Sequence, residues 1–168
     1  AVDVLPVPPP DLVLSDVSVP FEAFEDTTIT VRYKVTNLGP GPTNPDYWTD
    51  VVWLAHSDTQ RPAVNPDNMT NDPAGGDMVL GSSGHGGELQ PNEYYYGTAY
   101  VYIPKQTHGQ YYIMVWADNA DVVFELAQDT TINPKMPNDM EGSNINGAPI
   151  NILLNPPPDL EVMSVDAP

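Results

Sequence analysis

The chain has 168 residues, enough for one domain with a substantial core. Five Lys and Arg stand against 23 Asp and Glu, and the resulting formal charge of −18 makes a surface that repels nucleic acid and anionic lipid. The absence of cysteine excludes disulfide stapling and thiolate metal sites, and no apolar run approaches the roughly 20 residues that a membrane span needs.

Twenty prolines and twelve glycines separate short apolar runs. No stretch keeps a 3.6-residue apolar period, so the chain reads as all-β. After Pro8-Pro9-Pro10-Asp11, the residues Leu12, Leu14, Val17 and Val19 sketch a first strand, with a bulge expected near Asp16. Residues 21–26 read as a bend. Residues 28–36 then alternate, with Ile29, Val31, Tyr33 and Val35 on one face and Thr30, Arg32, Lys34 and Thr36 on the other. Residues 48–56 form a third strand, placing Asp50, Val52 and Leu54 opposite Val51, Trp53 and Ala55. Residues 57–92 are mostly Asp, Asn, Gly and Pro, interrupted by an expected short strand at Met78-Val79-Leu80. Residues 93–103 alternate again, Tyr95, Ala99, Val101 and Ile103 inward and Tyr94, Tyr96, Tyr100 and Tyr102 outward. In the next strand Tyr111, Ile113, Val115 and Ala117 face inward, and Tyr112, Met114 and Trp116 outward. A short strand at Val122-Val123-Phe124, a second polar insertion at 128–147 and a closing strand at 150–154 complete the pattern. It predicts an immunoglobulin-like β-sandwich of about seven to eight antiparallel strands with two long polar loop insertions.

One phrase occurs twice: Pro-Pro-Pro-Asp-Leu at 8–12 returns at 156–160. The flanking residues answer one another as well, VLSDVSVP against EVMSVDAP and AVDVLPV against PINILLN. The expectation is a segment of a tandem array. Residues 1–9 would end a preceding repeat and its linker, 10–155 would be one sandwich, and 156–168 would supply the next linker and first strand.

Five phrases in fixed order carry a family resemblance: PDLVLSDVSVP, VRYKVTNLGPGPT, WTDVVWLAHSD, LQPNEYYYGTAYVYIP and GQYYIMVWADNADVVFE. Together they resemble the CARDB family, the cell-adhesion-related domain found in bacteria. The resemblance implies a seven-stranded immunoglobulin-like sandwich, repeated in large secreted or cell-surface proteins and lacking a recognised catalytic site. This chain departs from that pattern by its two insertions. It also ends the Val-x-Glu phrase with Glu125-Leu126-Ala127-Gln128-Asp129 instead of an asparagine-rich stretch.

Three constellations are candidates for function. Asp118, Asn119, Asp121 and Glu125, joined by Asp11, offer oxygens at the close spacing calcium needs; the competing reading is a turn built by Asp and Asn side chains. Asn65, Asp67, Asn68, Asn71, Asp72 and Asp77 form a second oxygen-rich cluster whose spacing does not fit an EF-hand, and Asn138, Asp139, Glu141, Asn144 and Asn146 a third. Tyr94, Tyr96, Tyr100 and Tyr102 would form an outward stripe, and Trp53, Tyr112 and Trp116 a patch on the opposite sheet. Folded-back insertions, a neighbouring domain or second chain, or a polysaccharide would cover these aromatics. His56, His85 and His108 lack the spacing of a zinc site, and Gly81-Ser82-Ser83-Gly84-His85-Gly86 reads as a flexible loop, not a nucleophile elbow. Lys34 faces outward, which argues against an intramolecular lysine crosslink.

The expected function is a non-catalytic structural or adhesion repeat, extracellular or at the cell surface, with calcium as a stabilising ion and adjacent repeats as partners. A polysaccharide-binding accessory module and a self-assembling subunit adding its Val2-to-Val7 strand to a neighbour are the alternatives. Neither nucleic acid nor membrane insertion is expected.

Overall fold

The alternation at 28–36 becomes the longest strand, and the molecule is assembled around it. A computed structural model describes residues 8–58, 77–125, 142–156 and 163. Among them are eight strands: β1 (Leu12–Ser18), β2 (Glu22–Phe24), β3 (Thr27–Asn37), β4 (Tyr47–Ala55), β5 (Met78–Gly86), β6 (Tyr94–Ile103), β7 (Gly109–Trp116) and β8 (Ile145–Leu153). A short 3-10 turn, Gly142–Asn144, leads into β8. Two sheets face each other, ordered β1-β3-β6 and β2-β8-β7-β4-β5.

The core lies between the sheets and is built from the alternate residues that the period-2 pattern turns inward. Leu12, Val31, Tyr33, Val35, Val101 and Ile103 come from the smaller sheet. Trp48, Val52, Leu54, Ile113, Val115, Ile150 and Ile152 come from the larger one. Burying each large apolar side chain contributes about 1.5–3 kcal/mol, so this interlayer is what holds a sandwich without cysteines. As expected, β1 is bulged at Asp16, where φ is +54° and the register with β3 shifts between Ser15 and Ser18.

The structure corrects several expectations. Residues 81–86 are strand, not flexible loop: β5 runs nine residues along β4, and Gly84 leaves room for the Tyr47 hydroxyl, which would lie 3.0 Å from an added Cβ. The expected bend at 21–26 contains β2, which pairs parallel with β8; the other described pairings are antiparallel. Strand β8 begins at Ile145, inside the expected second insertion. Val122-Val123-Phe124 is not a strand, because Asp118 holds its amides in a turn. The centres of both insertions, 59–76 and 126–141, lie outside the described residues, as do the first seven residues and the second Pro-Pro-Pro-Asp-Leu phrase beyond Pro156.

The largest correction concerns the outer face of the five-stranded sheet. Trp53, Met114 and Trp116 do face away from the interlayer core, yet Trp53 is 4 % exposed and Trp116 9 %. With Val51, Ala55 and Ile145 they form a second buried cluster, against which the half-buried Tyr112 and Val79 pack. Trp53 and Trp116 therefore present no open surface. In sequence, β4 and β7 are near-continuous apolar runs, the signature of strands buried on both faces.

Candidate functional site: a tyrosine face outside and a carboxylate inside

The three-stranded sheet turns its other face to solvent. The β3–β6 register pairs Thr28 with Tyr102, Thr30 with Tyr100, Arg32 with Thr98, Lys34 with Tyr96 and Thr36 with Tyr94. Directly paired residues share a face, so these ten side chains form one outward ladder. The four tyrosines are 46–75 % exposed, as the sequence predicted, and span about 27 Å at roughly 3.4 Å per residue. Lys34 Nζ lies 4.3 Å from the Tyr94 ring centroid, and the Tyr94 and Tyr96 rings meet edge to face at 5.5 Å. At the far end the Tyr102 hydroxyl donates to Asp26 Oδ1, whose Oδ2 is 3.2 Å from Lys105 Nζ. That hydrogen bond and the ammonium draw the Asp26 carboxyl below its ordinary range.

Inside, β4 carries an acid that the sequence reading left on an inward face without a partner. Asp50 is 1 % exposed. Its Oδ2 accepts the hydroxyls of Tyr33 at 2.8 Å and Tyr95 at 2.7 Å, and its Oδ1 accepts the amide of Asp118 at 3.2 Å. The Tyr95 oxygen accepts Trp48 Nε1 at 3.1 Å, and His85 stacks on the Tyr95 ring at 3.8 Å. Burial is the main force pushing the Asp50 carboxyl up, and the two phenols partly oppose it. Both tyrosines are pushed up as well, by burial and then by the Asp50 charge. Burial lowers His85, which is half-buried against the Tyr95 and Trp48 rings. Gly97, paired with Tyr33, is obligatory, since an added Cβ would stand 2.1 Å from Tyr33 Cζ. The available signal was an Asp on the inner face of one strand, with inward tyrosines in two others.

The candidate metal turn is occupied by the chain itself. Asp118 Oδ1 accepts the Val122 amide at 3.1 Å and Oδ2 the Val123 amide at 2.7 Å. Asp118 and Asp121 both adopt positive φ, which short Asp side chains tolerate in turns. Asn119 joins the turn to β4 through its amide and Thr49 O. Glu125 is drawn elsewhere: Oε1 accepts the Leu12 amide at 3.1 Å and Oε2 the Asn144 side chain at 3.4 Å, so it fastens the start of β1 to the entrance of β8. Among the described residues no group of three or more His, Cys, Asp or Glu could hold a metal ion. This donor set fits a hydrogen-bonded turn, not a cation cage. Asp77, the described member of the second cluster, accepts the His56 amide at 3.0 Å.

Asp11 belongs to a third arrangement, centred on the fully buried Asn37. Asn37 Oδ1 accepts the amides of Asp11 at 3.1 Å and Gly39 at 3.0 Å, while Nδ2 donates to Gly41 O at 2.8 Å and Leu89 O at 3.0 Å. Leu38 N donates to Asp11 O and Gly41 N to Pro9 O, laying the proline segment against the loop after β3. An added Cβ on Gly41 would stand 1.7 Å from Pro8 O, and one on Gly39 2.4 Å from Pro10 C. Gly39 and Gly41 are thus glycine because the linker lies on them.

Two packed antiparallel-rich sheets with this strand order define an immunoglobulin-like β-sandwich. More narrowly, the chain has the fold of the CARDB domain. The crystal structure of that domain of the PF1109 protein from Pyrococcus furiosus, in complex with di-metal ions, matches at TM-score 0.53 and 16 % identity, covering 87 % of this chain and 96 % of that one. Its solution structure matches at TM-score 0.52 and 18 % identity, covering 88 % and 98 %. A β-glucosidase from Erythrobacter marinus, at TM-score 0.49 and 10 % identity, covers 86 % of this chain but 16 % of its own and carries no argument. No protein-family profile matches, nor does any curated protein.

Proposed function

We propose that this domain is a non-catalytic structural module of adhesion type, joined head to tail with like domains in a secreted or cell-surface protein. The observation that carries this reading is the placement of entry and exit. The chain enters at Leu12, paired with Asn37 at the end of β3, and β8 leaves at Leu153, paired with Phe24 beside the start of β3. The two lie at opposite poles, about 34 Å apart at roughly 3.4 Å per residue of β3. The entry phrase is docked on its own domain through Asn37, Gly39 and Gly41, and the sequence repeats that phrase at the exit. A following repeat would dock the second copy in the same way, so each linker moves with the domain that follows it. The di-metal ions of the Pyrococcus furiosus domain raise the question of calcium for this acidic chain. In this proposal divalent ions act on its charge, without a cage at residues 118–125.

Small-angle scattering on two units joined through one Pro-Pro-Pro-Asp-Leu phrase tests the arrangement. The expected result is an extended two-lobed particle close to twice the single-unit length. Gly41→Ala in the second unit is expected to broaden the distance distribution by lifting Pro8 off its seat. Independent tumbling of the parent two-unit chain would refute the docked linker.

A further inference from the structure

The tyrosine face has a charge pattern at odds with the rest of the chain. The positions of β1, β3 and β6 that share it are Val13, Ser15 and Ser18; Thr28, Thr30, Arg32, Lys34 and Thr36; and Tyr94, Tyr96, Thr98, Tyr100 and Tyr102. In a chain carrying 23 acids and five basic residues, these positions hold two cations and no carboxylate. Asp16, at the bulge of the edge strand β1, accepts the Ser15 hydroxyl at 3.4 Å and brings one carboxylate to the margin of the face, and Asp26 at its end is engaged by Tyr102 and Lys105. Beyond Thr28, Thr30 and Arg32 the face runs into an open cleft of about 420 Å³, formed where the chain crosses from β1 to β2. Ile29 and Ala23 line it, and Glu22 brings one carboxylate to its rim.

The chemistry of the face selects its partner. Every large aromatic side chain on it is a tyrosine, and the residues between are mainly threonines, so ring planes and hydroxyls alternate while Val13 is the sole aliphatic group. A dry protein–protein contact can also use tyrosine and arginine, but it centres them on a closely packed apolar core, and among these positions Val13 alone is aliphatic. Amphipathic rings suit a ligand that is apolar on its faces and hydroxylated at its edges. Arg32 and Lys34, midway along the row, suit a ligand that also bears carboxylates, Arg through its two-pronged geometry. We propose that the β1-β3-β6 face binds an acidic polysaccharide, a uronate chain lying along β6 with its sugar rings on Tyr96 and Tyr100 and its carboxylates at Arg32 and Lys34. The site is independent of the tandem arrangement and adds a ligand to a module otherwise read as a spacer. Overall repulsion between two anions does not prevent this near physiological salt, where charges beyond about 8 Å are screened and the local cations decide.

Affinity electrophoresis of the full chain at that salt tests the proposal, with gels containing polygalacturonate or a neutral β-glucan. The expected result is retardation by polygalacturonate only. Tyr96→Ala and Tyr100→Ala should each weaken it about tenfold, and the double variant Arg32→Gln/Lys34→Gln should abolish it. All these side chains lie on the solvent face, so their melting temperatures should match the parent and separate lost binding from lost fold. Equal retardation by the neutral glucan would overturn the carboxylate assignment. Absent retardation, or retardation untouched by the variants, would overturn the site. A concentration-dependent dimer in sedimentation that Tyr100→Ala abolishes would assign the face to a second copy of the chain and overturn the proposal.

Discussion

Asp50 shows how much a single buried carboxylate can set. With no cation among its described hydrogen-bond partners, it is held by two phenols and one amide, and losing one partner of a buried polar group costs about 1–3 kcal/mol. Tyr33→Phe or Tyr95→Phe should therefore lower unfolding free energy by that amount, read from urea titrations. Burial raises the Asp50 carboxyl in the folded state, so the fold holds that proton more tightly than the unfolded chain does. Its stabilising contribution is fully present below the unfolded value, about 3.9, and is lost as pH rises through the folded one. Asp118, also raised chiefly by burial, acts in the same direction. The stability difference between the parent and Asp50→Asn should be largest near pH 3 and shrink toward pH 7; a difference that grows with pH would contradict the assignment. At Asp118 the loss is of two amide partners, so Asp118→Ala should cost about 2–4 kcal/mol. Millimolar calcium should not restore it, and chelator should not reproduce it in the parent.

At the scale of elements, two kinds of strand behave differently. Strands β3 and β6 alternate apolar with Thr, Lys, Arg and Tyr; their outer residues are open, and both faces were legible in the sequence. Strands β4 and β7 contain WTDVVWLA and YYIMVW, where apolar residues occupy both faces. The alternation placed Trp53 and Trp116 on the correct side, but only burial on both faces explains a continuous apolar run. The Asp50 network was less legible, because pairing Tyr33, Tyr95 and Asp50 requires the packing of one sheet on the other. Gly81 to Gly86 was misread because glycine and serine signal a loop, whereas the β4 ladder keeps them in register as strand. The distinction is measurable. Trp53→Ala should destabilise by about 3–5 kcal/mol, the cost of emptying a buried aromatic site, while Tyr100→Ala on the open face should lie within about 0.5 kcal/mol of the parent. Trp53→Phe should lose much less than Trp53→Ala, because the Trp53 Nε1 hydrogen finds no acceptor among the described residues and its removal relieves a buried polar group.

For the whole molecule, a charge of −18 over 168 residues is a destabilising field, because the compact state crowds charges that the unfolded chain separates. Screening should therefore stabilise the fold, with melting temperature rising between about 10 mM and 1 M NaCl as the Debye length falls from about 30 Å to 3 Å. This general response is the background against which any specific ion must be measured. Calcium chloride and sodium chloride compared at equal ionic strength separate the two effects. If divalent ions act only on the field, the melting curves should nearly coincide. A calcium site, by contrast, stabilises according to its occupancy, by about 2.7 kcal/mol at a hundred times its dissociation constant. Such an increment would survive matching of ionic strength and saturate with calcium. Because Asp118 and Glu125 are already engaged by amides of the fold, an increment of that kind should persist in Glu125→Gln, placing its ligands elsewhere on the acidic chain. Its disappearance in Glu125→Gln would instead restore the 118–125 turn as a cation site, against the geometry of its hydrogen bonds.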